Sequence, residues 1–193
     1  MPLTEFEQHA GNPVEKIFWG RAKIRAASAY LYFTKNSAVQ QSLHRFKYKG
    51  RKEIGFYFGK RIGHALKSSG RFQTCELILP LPLFTARARK RGYNQAAILS
   101  EGISAVTNIP VINDALVRVM ETATQTHKTR IQRWQNMTDK FMVKKPELLI
   151  GKHILLVDDV ITTGSTLDAC AQILLSTQEV TLSIATLAYS VSG

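Results

Sequence analysis

Cysteine is nearly absent from this 193-residue chain, which holds only two. Cys75 and Cys170 stand apart inside apolar segments, with no CxxC partner. That speaks against a disulfide framework and, unless histidines join them, against a structural zinc site, so no zinc is expected and the two read as buried thiols. Long apolar runs are missing too. No stretch approaches membrane-spanning length, and Met1–Ala10 lacks the basic, apolar and small-residue succession of a leader, so the expectation is a cytoplasmic protein without membrane insertion. Acids are the third scarcity: 26 Lys and Arg face 14 Asp and Glu, a net charge of +12. The imbalance peaks between His44 and Arg71, where Arg45, Lys47, Lys49, Arg51, Lys52, Lys60, Arg61, Lys67 and Arg71 meet the single acid Glu53. Such a face attracts nucleic acid or a multiply phosphorylated ligand, or is a solvated helix surface. No Walker loop is present: Gly55–Arg61, GFYFGKR, has the wrong spacing and an Arg where Ser or Thr must reach magnesium.

What is present suits one globular domain. Hydrophobic residues make up 45% and charged residues 21%, an ordinary balance that speaks against disorder. Asn12 and Pro13 read as an N-cap and first helical residue, opening a short helix through Ile17, Phe18 and Trp19. A strand is expected over Ala26–Phe33 and a helix over Ala38–Tyr48, with Val39, Leu43 and Phe46 inward and Gly50 closing it. The next helix, Lys52–Lys67, carries Ile54, Phe58, Ile62 and Leu66 at four-residue spacing, beside a stripe of Gly55, Gly59 and Gly63 that allows close approach of a strand or helix. Leu77–Leu79, Ala115–Val119 and Val180–Ile184 read as further strands, and Ile98, Leu99 and Ile103 as a helix face.

The chemistry concentrates in Leu155–Thr166, LLVDDVITTGST. The run His153–Val157 is apolar without alternation, as in a strand buried on both faces of a parallel sheet. Its carboxyl end lies where open α/β sheets bind ligands. There Asp158 and Asp159 offer acceptors for the vicinal hydroxyls of a ribose. Thr162, Thr163, Ser165 and Thr166 follow as four hydroxyls around Gly164, which lets the backbone approach a ligand closely. From Thr166 the pattern is helical, with Leu167, Cys170, Ile173 and Leu174 on one face, so the loop sits at a helix N-terminus suited to a phosphate. Taken singly, the acids are turn residues and Thr162 or Ser165 an N-cap; together, in strand-loop-helix order, they describe a sugar-phosphate cradle.

A second cluster follows Leu77–Leu79: the loop Pro80, Leu81, Pro82, Leu83, then Arg87, Arg89, Lys90, Arg91, Gly92, Tyr93, Asn94 and Gln95. It could receive a diphosphate or a nucleic-acid backbone. Glu121–Phe141 is polar and basic, without glycine or proline.

The Leu155–Thr166 stretch resembles the ribose-phosphate loop of the type I phosphoribosyltransferases. PLPL followed by KRGYNQA, together with TQTHKTRIQRWQN at Thr124–Asn136, resembles the ComF/GntX family of competence-associated phosphoribosyltransferase-like proteins, in an order maintained from about Asn12 to about Tyr189. The resemblance implies a type I phosphoribosyltransferase fold, α/β with a mostly parallel sheet flanked by helices. It implies phosphoribosyl pyrophosphate as ligand, with Mg2+ bridging its oxygens. Asp158 and Asp159 are then catalytic, Val160, Thr162, Thr163, Gly164, Ser165 and Thr166 hold the ribose phosphate, and Leu81, Pro82, Arg87, Arg89 and Arg91 receive the diphosphate. Gln125, Thr126, Lys128, Arg130 and Arg133 fall where type I enzymes carry a mobile loop that closes over substrate. The implied activity is phosphoribosyl transfer, a glycosyltransferase reaction, to an acceptor that no segment identifies, since none reads as a purine or pyrimidine pocket. The alternative is a non-catalytic single-stranded DNA-binding protein on the same fold, using Arg45, Lys47, Lys49, Arg51 and Lys52, with Phe46, Tyr48 and Tyr93 as stacking aromatics unless they belong to the core. Competence proteins are the implied partners. Family members commonly begin with a small cysteine-rich zinc module. Here residues 1 to about 35 read as an N-terminal extension or as the remnant of one, within a single domain.

Overall fold

The computed structural model describes residues 1–83, 92–119 and 141–190. Within them the helices are α1 (Pro13–Lys16), α2 (Ala38–Tyr48), α3 (Lys52–Ser68), α4 (Gln95–Thr107) and α5 (Ser165–Leu175). The strands are β1 (Ala26–Phe33), β2 (Leu77–Pro80), β3 (Leu116–Arg118), β4 (Phe141–Val143), β5 (His153–Ile161) and β6 (Thr181–Ser190). Four of them form one parallel sheet in the order β1-β6-β5-β2, while β3 and β4 pair antiparallel apart from it.

Both faces of that sheet are covered, which is why its strands are apolar without alternation. Ile154 and Leu156 of β5 pack with Leu167, Cys170 and Leu174 of α5; their neighbours Leu155 and Val157 pack on the other face with Phe46, Phe58, Ile62, Leu99 and Ile103. Strand geometry sends successive side chains to opposite faces, so β5 separates two apolar layers residue by residue.

The glycine stripe of α3 meets α4, a helix and not a strand. A Cβ on Gly59 would lie 2.3 Å from the Leu99 carbonyl oxygen and 2.8 Å from Gly102 Cα, so the backbones touch there. At Gly55 it would meet the Phe46 ring at 2.2 Å. These glycines accept a helix-propensity cost of about 1 kcal/mol each because no other residue fits the crossing.

Local capping matches the sequence at several ends. Asn12 Oδ1 accepts from the Val14 and Glu15 amides, while its Nδ2 donates to the Phe6, His9 and Ala27 carbonyls, pinning the N-terminal segment to β1. The first helix stops at Lys16, with turns replacing the helix expected through Trp19. Phe141, assigned by sequence to a polar connecting stretch, begins β4. Strand β5 continues past Val157 to Ile161 because Val160 and Ile161 pair with Ala188 and Tyr189 of β6. Among the described residues, no helix is long and apolar enough to cross a membrane, and no group of three or more His, Cys, Asp or Glu could hold a metal.

Candidate functional site

The carboxyl edge of the sheet brings the proline loop and the head of α4 beside the end of β5. The Leu81 amide donates to the Val157 carbonyl at 2.8 Å, carrying the proline loop alongside β5, and Asn94 Nδ2 donates to the Leu81 carbonyl at 2.9 Å. Asn94 also caps α4 through its Oδ1, accepting from the Ala96 amide. Leu81 is buried and Pro82 half-buried at this edge. Arg87, Arg89 and Arg91 lie outside the described residues, as do Gln125, Thr126, Lys128, Arg130 and Arg133.

Beyond β5 the chain turns through Thr162 and Thr163 to Gly164 and enters α5 at Ser165. Gly164 has φ 72° and no side chain caps the helix. The first helical closure at this end is the Asp168 amide donating to the Gly164 carbonyl at 2.8 Å, so the preceding amides are presented to an incoming anion. Thr162 and Thr163 are exposed, Ser165 and Thr166 half-buried, and the Thr163 and Ser165 hydroxyls are 3.0 Å apart. Asp158, Val160 and residues 161–167 line one cleft of about 60 Å³, the size of a phosphate-bearing end and too small for a whole nucleotide.

Glycine is required at 164 on two grounds: its backbone conformation is left-handed, and a Cβ there would lie 2.4 Å from Ile17 Cγ2. The N-terminal segment thus packs against the loop. Arg21 strengthens the contact, donating from Nη1 to the Thr163 carbonyl at 3.3 Å, while Gln172 of α5 donates to the Arg21 carbonyl. Sequence reading missed Ile17, Arg21 and Gln172; Arg21 and Thr163 are 142 positions apart, and no local pattern links them.

The two acids part company. Because both remain within β5, pleating places Asp158 with Ile154 and Leu156 on the α5 face, and Asp159 with Leu155 and Val157 on the α2 face. Asp159 is buried and forms an ion pair with Lys47 Nζ of α2 at 2.8 Å. Asp158 accepts one backbone bond, from the Asp159 amide to Oδ1 at 2.7 Å. Burial first, and the adjacent Asp159 charge second, push its carboxyl up to about 8, against the weaker pull of Lys47 and Arg118. On the same face, burial and then the Asp158 charge hold the Cys170 thiol well above its ordinary range.

The basic helices divide similarly. Lys47, grouped by sequence with nucleic-acid contacts, is half-buried on Asp159. Arg45, Lys49, Arg51 and Lys52 are exposed. Phe46 is fully buried and Tyr93 half-buried, its hydroxyl donating to the Phe46 carbonyl while Lys52 Nζ lies 5.2 Å over its ring. Of the three aromatics proposed for stacking, Tyr48 alone is exposed, at 53%; Phe56 and Tyr57, which sequence reading passed over, are also exposed.

These features define a class. Residues 79–193 match the family model of the phosphoribosyl transferase domain, and the chain belongs to that family, with the type I phosphoribosyltransferase fold. Within it the chain stands with the ComF proteins: it is 35% identical over 178 residues to Competence protein F of Haemophilus influenzae, across 89% of this chain and 74% of that protein. It is 31% identical over 146 residues to the DNA utilization protein YhgH of Escherichia coli O157:H7, across 74% of this chain and 63% of that protein. The chain therefore spans between three fifths and three quarters of these relatives. Among solved structures, the glutamine phosphoribosylpyrophosphate amidotransferase of Bacillus subtilis aligns with a TM-score of 0.49 and 17% identity, over 73% of this chain and 30% of that one.

Proposed function

We propose that this protein binds phosphoribosyl pyrophosphate and transfers its phosphoribosyl group to an acceptor, in the context of DNA uptake suggested by the names of its relatives. One observation carries the reading: the uncapped Thr162–Thr166 turn at the head of α5 shares a cleft with the Asp158 carboxyl. The turn's amides and hydroxyls take the 5′-phosphate, and Asp158 meets the ribose hydroxyls beside it. Departure of diphosphate leaves positive charge on the anomeric carbon, which a carboxylate at the ribose favours electrostatically. Lys47 holds Asp159 in place behind the strand and limits the charge repelling a polyanion. The cleft's donors are the oxygens of Asp158 and of the Thr and Ser hydroxyls, a set that would suit magnesium, which would supply positive charge to neutralise the leaving diphosphate. The test is a magnesium-dependent thermal shift with phosphoribosyl pyrophosphate, followed by diphosphate release with candidate acceptors. No shift at millimolar ligand would remove the proposal.

A second reading, single-stranded DNA binding without turnover, is favoured by the α2–α3 face. There Tyr48, Phe56 and Tyr57 are exposed among Arg45, Lys49, Arg51 and Lys52. Affinity for a single strand should then fall steeply with salt, and each Ala replacement at those four cations should lower the logarithmic slope by about 0.7. A salt-independent affinity would exclude this face.

A further inference from the structure

Residues 17–25 lead away from the phosphate turn as a basic, aromatic-edged groove. At one end Arg21 holds the Thr163 carbonyl; at the other the Arg25 amide donates to Leu182, near the start of β6, so the segment runs from the carboxyl edge of the sheet to its amino edge. Arg21, Lys23 and Arg25 are exposed at every second residue, while Ala22 and Ile24 pack on the core. The groove holds about 440 Å³ and is walled by Trp19, which is 64% exposed. Glu15 is the acid in its lining, and its carboxylate is already taken by Arg71 and the Gly11 and Ala27 amides. Exposed indole beside a line of cations is the combination that binds single strands through stacking and phosphate contacts.

We propose that the cradle receives the 3′-terminal sugar phosphate of a single DNA strand, its base left outside the cleft, whose upstream phosphates follow Arg21, Lys23 and Arg25 and whose penultimate base stacks on Trp19. This rests on the reading that Thr162–Thr166 holds a sugar 5′-phosphate. A phosphate in that turn continues along Arg21, which bonds the Thr163 carbonyl, and its sugar meets Asp158, which lines the same cleft. The polarity follows: the seated sugar is the last of its strand, with a free 3′-hydroxyl on Asp158. With Asp159 turned away onto Lys47, one carboxyl faces the cleft, enough for the single hydroxyl that a DNA 3′ end retains.

The experiment uses the full chain carrying Trp134→Phe, which leaves Trp19 as the sole tryptophan, and oligothymidylates of about eight nucleotides, within the usual span of a single-strand site. A 3′-hydroxyl strand should quench Trp19 fluorescence and be displaced by phosphoribosyl pyrophosphate. The same strand ending in a 3′-phosphate should bind at least about tenfold more weakly, since the added phosphate must fit beside Asp158 in a cleft of about 60 Å³. Trp19→Ala and Lys23→Ala should each weaken the 3′-hydroxyl strand about tenfold while leaving phosphoribosyl pyrophosphate binding unchanged. Equal affinity for 3′-hydroxyl, 3′-phosphate and circular strands overturns the proposal, as does end preference that disappears with Arg45→Ala and Lys49→Ala instead. If phosphoribosyl pyrophosphate binds but displaces no strand, this inference falls and the cradle's sugar-phosphate role stands. If the strand end binds with the stated preference and phosphoribosyl pyrophosphate does not bind, the inference stands and phosphoribosyl transfer falls.

Discussion

Replacing Asp158 by Asn tests the electrostatics of the cleft at a single atom. Asp158 accepts one backbone bond, and Lys47 of α2, whose charge reaches it, is committed to Asp159. Its carboxyl is therefore raised to about 8, by burial more than by Asp159. The folded chain then binds a proton at this group that the unfolded chain has already lost between about pH 4 and pH 8, so wild-type stability falls as pH rises through that window. The full shift would correspond to about 5 kcal/mol. Partial exposure and relaxation reduce that to about 1–2 kcal/mol, or roughly 2–8 °C in a chain of this size. Asp158→Asn, which carries no charge, should accordingly melt higher than wild type at pH 8.5 without ligand, and the two should converge near pH 4.5. Ligand binding should run the other way. A carboxyl titrating near 8 is ionised in about one molecule in ten at pH 7 and about nine in ten at pH 9, so wild-type affinity for magnesium and phosphoribosyl pyrophosphate should rise about tenfold over that range. In the Asn variant affinity should be weak and nearly flat. Melting of wild type at or above the variant at pH 8.5 would show that the ionised carboxylate is well solvated, and the reasoning about the cleft would fail.

Other perturbations bear on the supports of the site. Gly59→Ala forces a methyl to within 2.3 Å of the Leu99 carbonyl oxygen, and chemical denaturation should show a loss of at least about 3 kcal/mol, or no folding. An unchanged midpoint would mean that α3 and α4 do not cross at their glycines. Lys47→Met leaves Asp159 buried without its cation, a cost of about 3 kcal/mol by denaturant titration, which Asp159→Asn in the same chain should largely relieve. His153 is bonded to the Thr74 and Ser183 hydroxyls, and burial, followed by the Arg25 charge, lowers its affinity for a proton. Its folded pKa lies below the unfolded value, so stability should be intact above about pH 6.5 and decline as pH falls below it; His153→Gln should flatten that decline in melts between pH 5 and 7.

Much of the architecture was legible because its causes are local. The strand Ala26–Phe33 and the helix Ala38–Tyr48 match at both ends, since apolar spacing and capping act within a few residues. The phosphate turn was legible for the same reason: Gly164, its hydroxyl neighbours and the helix behind them are contiguous. The strand β4 was not, because Phe141 lies next to a long polar stretch and pairs with Arg118 across the chain. Phe46 and Tyr48 show a subtler failure. Two residues apart on one helix, they point in different directions, and burial depended on where α2 lay against the sheet.

The chain's own order of residues determined that a buried parallel strand would run into a hydroxyl-rich turn at a helix head, because hydrogen bonding and side-chain periodicity within that segment suffice. It did not determine which way each acid would face. Pairing of Val160 and Ile161 with β6 prolonged the strand, and pleating then sent Asp158 to the cleft and Asp159 to Lys47. The placing of Ile17 and Arg21 beside the turn was likewise settled only by folding, through Asn12 on β1 and Ile17 on Gly164. Contacts between residues more than a hundred positions apart depend on how layers pack, and that information is distributed over the whole core.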